Sequence, residues 1–132
     1  MYPVPLLGPR HGRREPHRVE ADGGGIWEFP PFVKPTFFGN VPAGGSLPLR
    51  ILPIKTITAW IREANAAGRL ALLYLHPWEI DPEHPRIPMP WPKGLFHYFR
   101  LAETEARFRA ILSALPFGSL EEACAEAEGG FL

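Results

Sequence analysis

Six apolar residues in a row, Leu70-Ala-Leu-Leu-Tyr-Leu75, run directly into His76-Pro-Trp-Glu79 and Asp81. A run of this length, bounded by polar and proline signals, predicts a β-strand buried on both faces. Such a strand cannot stand alone, because its edges need neighbours and its faces need cover. Just before it, Ile54, Ile57, Ile61 and Ala64 recur at helical spacing with Trp60 beside them. Pro53 opens that helix, where a missing amide donor does no harm, and Gly68 is the expected C-terminal cap. Residues 53–76 therefore predict a helix-to-strand unit of an α/β fold. Such folds place ligands and catalytic groups just past the carboxyl ends of strands. His76, Trp78, Glu79 and Asp81 stand at that position.

The rest of the chain offers this strand few partners. Its 132 residues include 17 Pro and 13 Gly, concentrated in residues 1–53 and 77–94, a composition that favours long irregular segments. Residues 1–25 predict an irregular arm, made basic by Arg10, Arg13, Arg14 and Arg18 and loosened by Gly23-Gly24-Gly25, with the main domain spanning 26–132. Ile26-Trp-Glu-Phe29 alternates like a half-buried strand, and Pro35 limits Val33–Phe38 to a short edge strand. Residues 39–45 predict a turn-rich loop in which Gly44-Gly45 lets the backbone pass close to another surface. Residues 77–98 hold six prolines and predict one long loop, a length usually tied to function or disorder. A second helix is expected from Leu101 to Leu115, with Leu101, Thr104, Phe108, Ile111, Leu112 and Leu115 on one face. Pro116-Phe-Gly118 breaks it, and the capping box Ser119-Leu-Glu-Glu122 starts a third, short helix.

Fourteen acidic residues balance 14 basic ones, so charge gives no reason to expect nucleic acid. The acidic end around Glu121, Glu122, Glu126 and Glu128 is a solvated helix face by default. A single cysteine, Cys124, excludes an intrachain disulfide framework and a cysteine zinc site. No apolar run is long enough for a transmembrane helix. The start lacks the apolar stretch of a secretory signal; the compartment stays open, and that one pointer is toward the cytoplasm.

Of the candidate chemistries, acid catalysis by His76 is the most concrete. A nearby carboxylate would raise its pKa and suit it to donate a proton; the plain alternative is a hydrogen-bonded core histidine. His76, Glu79, Asp81, Glu83, His84 and His97 could ligate metal, but their spacing matches no zinc signature and Pro77, Pro82 and Pro85 exclude the helix such a signature needs. No metal site made from this chain alone is expected. Ser46, Ser113 and Ser119 sit in no nucleophile elbow, and Cys124 has no activating neighbour. Trp91, Phe96, Tyr98 and Phe99 could stack on a sugar or base, with core packing as their default explanation.

Leu73-Tyr-Leu-His-Pro-Trp-Glu-Ile-Asp-Pro-Glu-His-Pro-Arg86 resembles the last motif of the polysaccharide deacetylases, the NodB-like carbohydrate esterases. The resemblance is to a branch that carries a domain of unknown function at its C-terminus and is associated with bacterial exopolysaccharide and exosortase gene clusters. Tyr2-Pro-Val4 resembles the stretch after that family's fourth motif. Trp27-Glu-Phe-Pro30, Ala43-Gly-Gly45 and Leu49-Arg-Ile-Leu-Pro53 resemble the region between its fourth and last motifs. Phe96-His-Tyr98, Thr104-Glu-Ala-Arg-Phe108 and Ile111-Leu112 resemble its C-terminal end, so nearly the whole chain is covered.

The resemblance implies the C-terminal fragment of a distorted (β/α) barrel, with a Pro/Gly-rich arm, one buried strand and about three helices. It implies a polysaccharide or N-acetylated amino sugar as substrate and a divalent metal, zinc as the expected ion, in a complete family member. In the family an Asp and two His hold that metal and a second Asp is the base. By resemblance His76 is the general acid, Leu73 or Leu75 lines the acetyl pocket, and Trp78, Glu79 and Arg50 are secondary site residues. The family's Asp-Asp and His-x-x-x-His motifs are absent from this sequence. The expectation is therefore the C-terminal portion of a metal-dependent N-deacetylase, inactive alone, as a truncation, a fragment or one half of a split enzyme. Its partner would be an N-terminal deacetylase half or a second copy. The alternative is a non-catalytic binding or assembly module in exopolysaccharide biosynthesis.

Overall fold

The computed structural model describes residues 13–37 and 39–129. Tyr2-Pro-Val4, Arg10, His11 and Phe38 lie outside the described residues. Two antiparallel hairpins lead the chain. β1 (His17–Ala21) pairs with β2 (Gly24–Glu28), with Val19 opposite Ile26 and Arg18 opposite Trp27. β3 (Val33–Thr36) pairs with β4 (Gly39–Pro42). The described part of the expected irregular arm thus contains a strand. A two-residue Asp22-Gly23 turn, with Gly23 at φ 95°, folds β1 back onto the alternating Ile26-Trp27 stretch. Residues 39–42, expected as loop, complete the second hairpin. In a two-stranded sheet each strand is an edge, so Pro35 and Pro42 cost little there.

Five α-helices come next among the described residues: α1 (Ser46–Ile51), α2 (Ile54–Ala66), α3 (Lys93–Tyr98), α4 (Thr104–Ala114) and α5 (Leu120–Glu128). Three of them sit where periodicity and caps predict. Pro53 is the N-cap of α2. At its other end the Arg69 amide donates to Ala64 O (2.9 Å) and the Gly68 amide to Asn65 O (3.0 Å), with Gly68 at φ 69°. This paired arrangement is a Schellman cap. Ser119 and Glu122 exchange the two capping-box hydrogen bonds at 3.1 and 2.6 Å. The two unexpected helices, α1 and α3, arise in proline-rich sequence. Pro48 lies in the first turn of α1 and Pro92 is the N-cap of α3, places where a lost amide donor does no harm. A 3-10 turn at Pro77–Glu79 further divides the expected long loop.

The core is formed by Ile57, Ile61 and Ala64 of α2 against Ile111 of α4 and Leu115, with Phe32, Ala43 and Leu49 closing it. Leu70–Leu75 departs most from expectation. It is extended but belongs to no strand ladder, and its residues are half-buried, with Tyr74 36% exposed. Among the described residues only two main-chain bonds hold it laterally: Phe32 N–H to Leu72 O at 3.0 Å and Tyr74 N–H to Gly44 O at 2.8 Å. The stretch around Phe32 and Gly44 reaches one edge and no described strand reaches the other. A doubly buried strand is therefore not formed among these residues. Gly44 does make the expected close approach: a Cβ there would lie 2.5 Å from Leu72 O and 2.6 Å from Phe32 N.

The described chain is a small mixed α/β domain with two small antiparallel sheets, in place of the expected one buried strand and about three helices. Among the described residues no helix is long and apolar enough to cross a membrane.

Candidate functional site

The site grows out of the alternation of the extended segment. Ala71, Leu73 and Leu75 pack against the core. Tyr74 and His76 instead line an open cavity of about 460 Å³, together with Trp78, Glu79 and the apolar residues Val41, Leu47 and Ile51. Successive side chains of an extended chain point to opposite sides, so one run supplies both support and lining. The structure brings His76, Trp78 and Glu79 together at this cavity and turns Leu73 and Leu75 to the core side.

Glu79 organises the site. It is 6% exposed and closes the 3-10 turn back on itself. Its Oε2 accepts the His76 amide proton at 2.7 Å, and its Oε1 accepts a short hydrogen bond from Ser46 Oγ at the start of α1. Arg50, 2% exposed, lies one turn along α1. It donates to His97 O (2.9 Å) and Phe99 O (3.0 Å), with a longer bond to Ser46 Oγ at 3.5 Å. Burial pulls the Arg50 guanidinium below its ordinary pKa, and the Glu79 carboxylate opposes that pull. A buried charge persists where an opposite charge and hydrogen bonds compensate its lost hydration. Arg107 of α4 fastens the other end of α1 through Leu49 O at 2.7 Å and a shorter bond to Leu52 O. Arg50 thus lies beneath the cavity and ties its floor to α3.

Above this polar base lies an aromatic cluster. His76 stacks parallel to Trp78 at 6.3 Å, and His97 does so at 4.1 Å and 10°. Tyr74 meets His76 edge-on at 5.7 Å. His84 sits 5.7 Å from Trp78, 6.1 Å from His97 and 5.8 Å from Tyr98, whose ring carries Arg86 at 5.1 Å. Burial holds His97 below the usual histidine range; His84 and Arg50 add to the effect and Glu79 works against it. Tyr98 serves this cluster, whereas Trp91, Phe96 and Phe99 are 85, 50 and 40% exposed. The default of core packing fails for those three.

Ser46 and Tyr74 escaped the sequence reading as site residues. Ser46 carries no local motif, and Tyr74 lies within an apolar run. The strict alternation of side chains about His76 was the available signal for Tyr74. The arrangement offers an exposed imidazole at a cavity mouth, a flat indole beside it and a main-chain anchor from a buried carboxylate. It is suited to proton donation beside a stacked ring.

No curated protein and no solved structure matches this chain. A family match covers residues 1–125, nearly the whole sequence. The chain belongs to the family described as Domain of unknown function (DUF3473).

Proposed function

We propose that this domain forms one wall of an N-deacetylase site acting on a polysaccharide or N-acetylated amino sugar, within a barrel completed from outside the described residues. The observation that carries the reading is the position of His76. Its imidazole is exposed at the cavity mouth, while its amide is held by Glu79. The resemblance of Leu73–Arg86 to the last deacetylase motif supplies the reaction class. In amide hydrolysis water adds to the acyl carbon, and the C–N bond breaks only as nitrogen takes up a proton. Protonated His76 donates that proton, and the amine and acetate leave. Trp78 lines the same cavity, and an indole there suits contact with a pyranose ring. Glu79, Ser46 and Arg50 are positioning residues that hold the turn carrying His76.

The deacetylases that this chain resembles carry a divalent metal, which supplies an activated water when bound. The residues here do not fit such an ion. Both Glu79 oxygens are engaged in hydrogen bonds. Among the described residues no group of three or more His, Cys, Asp or Glu could hold a metal. Water activation therefore falls to groups outside the described residues, and the chain alone is expected to be inactive.

The test is a titration of the isotopically labelled chain with N-acetylchitotetraose, monitored through the Trp78 indole and His76 ring signals. Both should shift, and Trp78→Ala should abolish binding while leaving the fold intact. Unlabelled glucosamine oligomers should shift them less. Absence of binding at millimolar sugar would overturn the substrate class, and acetate release by the isolated chain would overturn the one-wall reading.

A non-catalytic binding or assembly module is the second reading. It is favoured by the exposed apolar side chains between residues 87 and 96, with Ile87 at 59%, Trp91 at 85% and Leu95 at 55%. Under that reading His76→Ala leaves every function of the assembled protein intact.

A further inference from the structure

We infer that the outer face of α3, with the proline-braced loop before it, docks on an anionic lipid surface. The domain would lie on such a surface and not cross it, since among the described residues no helix is long and apolar enough to span a membrane. The inference goes beyond both readings above and does not depend on the sugar.

α3 is inverted relative to an ordinary surface helix. A helix turns about 100° per residue, which sets His97 and Tyr98 on one side and Leu95, Phe96 and Phe99 on the other. His97 and Tyr98 are half-buried, with their rings against Trp78 and His84. Leu95, Phe96 and Phe99 are 55, 50 and 40% exposed. A surface helix ordinarily turns its apolar stripe to the core; here the stripe faces out. Ile87 and Trp91 in the loop that leads into α3 are 59 and 85% exposed.

These side chains are presented rigidly. Pro88, Pro90 and Pro92 fix alternate backbone angles around Trp91. Ile87 N–H donates to Tyr98 Oη at 3.0 Å, and the Gly94 amide donates to Pro90 O at 3.3 Å. The ordering cost of docking is correspondingly small. The cavity at His76 is lined by none of Trp91, Leu95, Phe96 or Phe99, so the sugar site does not account for them.

Charge decides the occupant. The chain as a whole balances 14 acidic against 14 basic residues, yet from Pro85 to Ala102 it carries Arg86, Lys93 and Arg100 and no carboxylate. The next carboxylate, Glu103, is paired with Arg100 at 2.8 Å. Exposed Trp, Phe and Leu interspersed with Lys and Arg suit an anionic lipid–water boundary, where the apolar groups enter to headgroup depth and the cations meet phosphates. Protein-binding patches are instead depleted in lysine, and Lys93 stands between Trp91 and Leu95 in the chain. α3 also joins this patch to the site, because His97 on its inner side stacks on Trp78 at 4.1 Å. Docking by the outer side would hold Trp78 about 10 Å, one helix diameter, from the lipid surface.

Sedimentation of the full chain with sucrose-loaded vesicles tests this. Vesicles of equal parts phosphatidylglycerol and phosphatidylcholine should carry the chain down. Phosphatidylcholine alone should bind it about fivefold or more weakly. Trp91→Ser combined with Phe96→Ser should weaken binding to the anionic vesicles by about tenfold or more, through lost apolar burial. Lys93→Gln should weaken it about fivefold. All three positions are exposed, and retained ring-current shifts between Trp78 and His97 would show that each variant is folded. With brominated lipid the tryptophan emission should be quenched, and Trp91→Phe should remove that quenching while retaining binding. No binding to the anionic vesicles, equal binding to the neutral ones, or full binding by the double serine variant overturns the inference. Dimers in lipid-free solution that the double serine variant dissociates assign the patch to a second copy and overturn it as well. Failure of the sugar titration leaves the vesicle result untouched, so the two ideas fall separately.

Discussion

Ala71, Leu73 and Leu75 pack against the apolar core, whereas Tyr74 and His76, one residue out of phase, line the open cavity. The support side is built chiefly from apolar packing by Ile57, Ile61 and Ile111, each 1 or 2% exposed. The working side is held by Glu79, Arg50 and Ser46, a buried polar set in which each group satisfies another. Packing on the support side tolerates exchange of one apolar group for another of similar volume. The polar set does not, because loss of one member strands its partners without water. Rigid placement of an exposed imidazole thus depends on buried charge below it as much as on the apolar core behind it.

The contrast can be broken most directly at Glu79. Replacing it by Ala leaves Ser46 Oγ and the His76 amide without their acceptor and takes a compensating charge from the buried Arg50. It should cost about 4 kcal/mol in urea denaturation, from two stranded donors at about 1–3 kcal/mol each. The same change should release the His76 amide and erase the ring-current shifts between Trp78 and His97. A small cost with the ring contacts intact would show that the polar set is incidental. Ile57→Ala, on the support side, should cost about 3 kcal/mol through the cavity it leaves, yet keep those ring-current shifts. Gly44→Ala probes the junction between the two sides. Its Cβ must push Leu72 O or Phe32 N away, for about 2 kcal/mol, and amide exchange at Tyr74 should quicken. Ser119→Ala touches neither side and should cost only about 1 kcal/mol, through the lost cap of α5.

Proton linkage separates the sides as well. His97 is held below its ordinary value by burial, with His84 and Arg50 adding to it, so the folded chain takes up this proton less readily than the unfolded one. Its contribution to stability is complete above the unfolded value near pH ~6.5 and is lost as pH falls through the lower folded value. Denaturation midpoints measured from neutral to mildly acidic pH should fall in the wild-type chain. His97→Gln should flatten that slope, and Ile57→Ala should keep it.

Reading the sequence succeeded where the determining contacts are local. The α2 face, its Pro53 start, its Gly68 cap and the Ser119–Glu122 box are set by residues within a few positions of one another, and all four are present. His76, Trp78 and Glu79, close together in the last-motif run, line one cavity. The prolines misled over residues 77–98, expected as one loop, where Pro92 is the N-cap of α3 and is tolerated; residues 46–51 carried no expectation, and Pro48 lies in the first turn of α1. His84, His97 and Tyr98 were visible as residue types, but nothing in their spacing indicated that they would gather around Trp78.

By itself the sequence determined the periodic helices, their caps, the close approach at Gly44 and the abrupt end of an apolar run at His76, because neighbouring residues decide each of these. Only the tertiary structure decided that Leu70–Leu75 is paired on one edge alone, that Arg50 lies buried beneath Glu79, and that Ser46 holds the turn carrying His76 from α1. Those features join residues some 30 positions apart, and no local preference encodes such pairings. They arise from how the helices close around one face of an extended segment while leaving its other edge open.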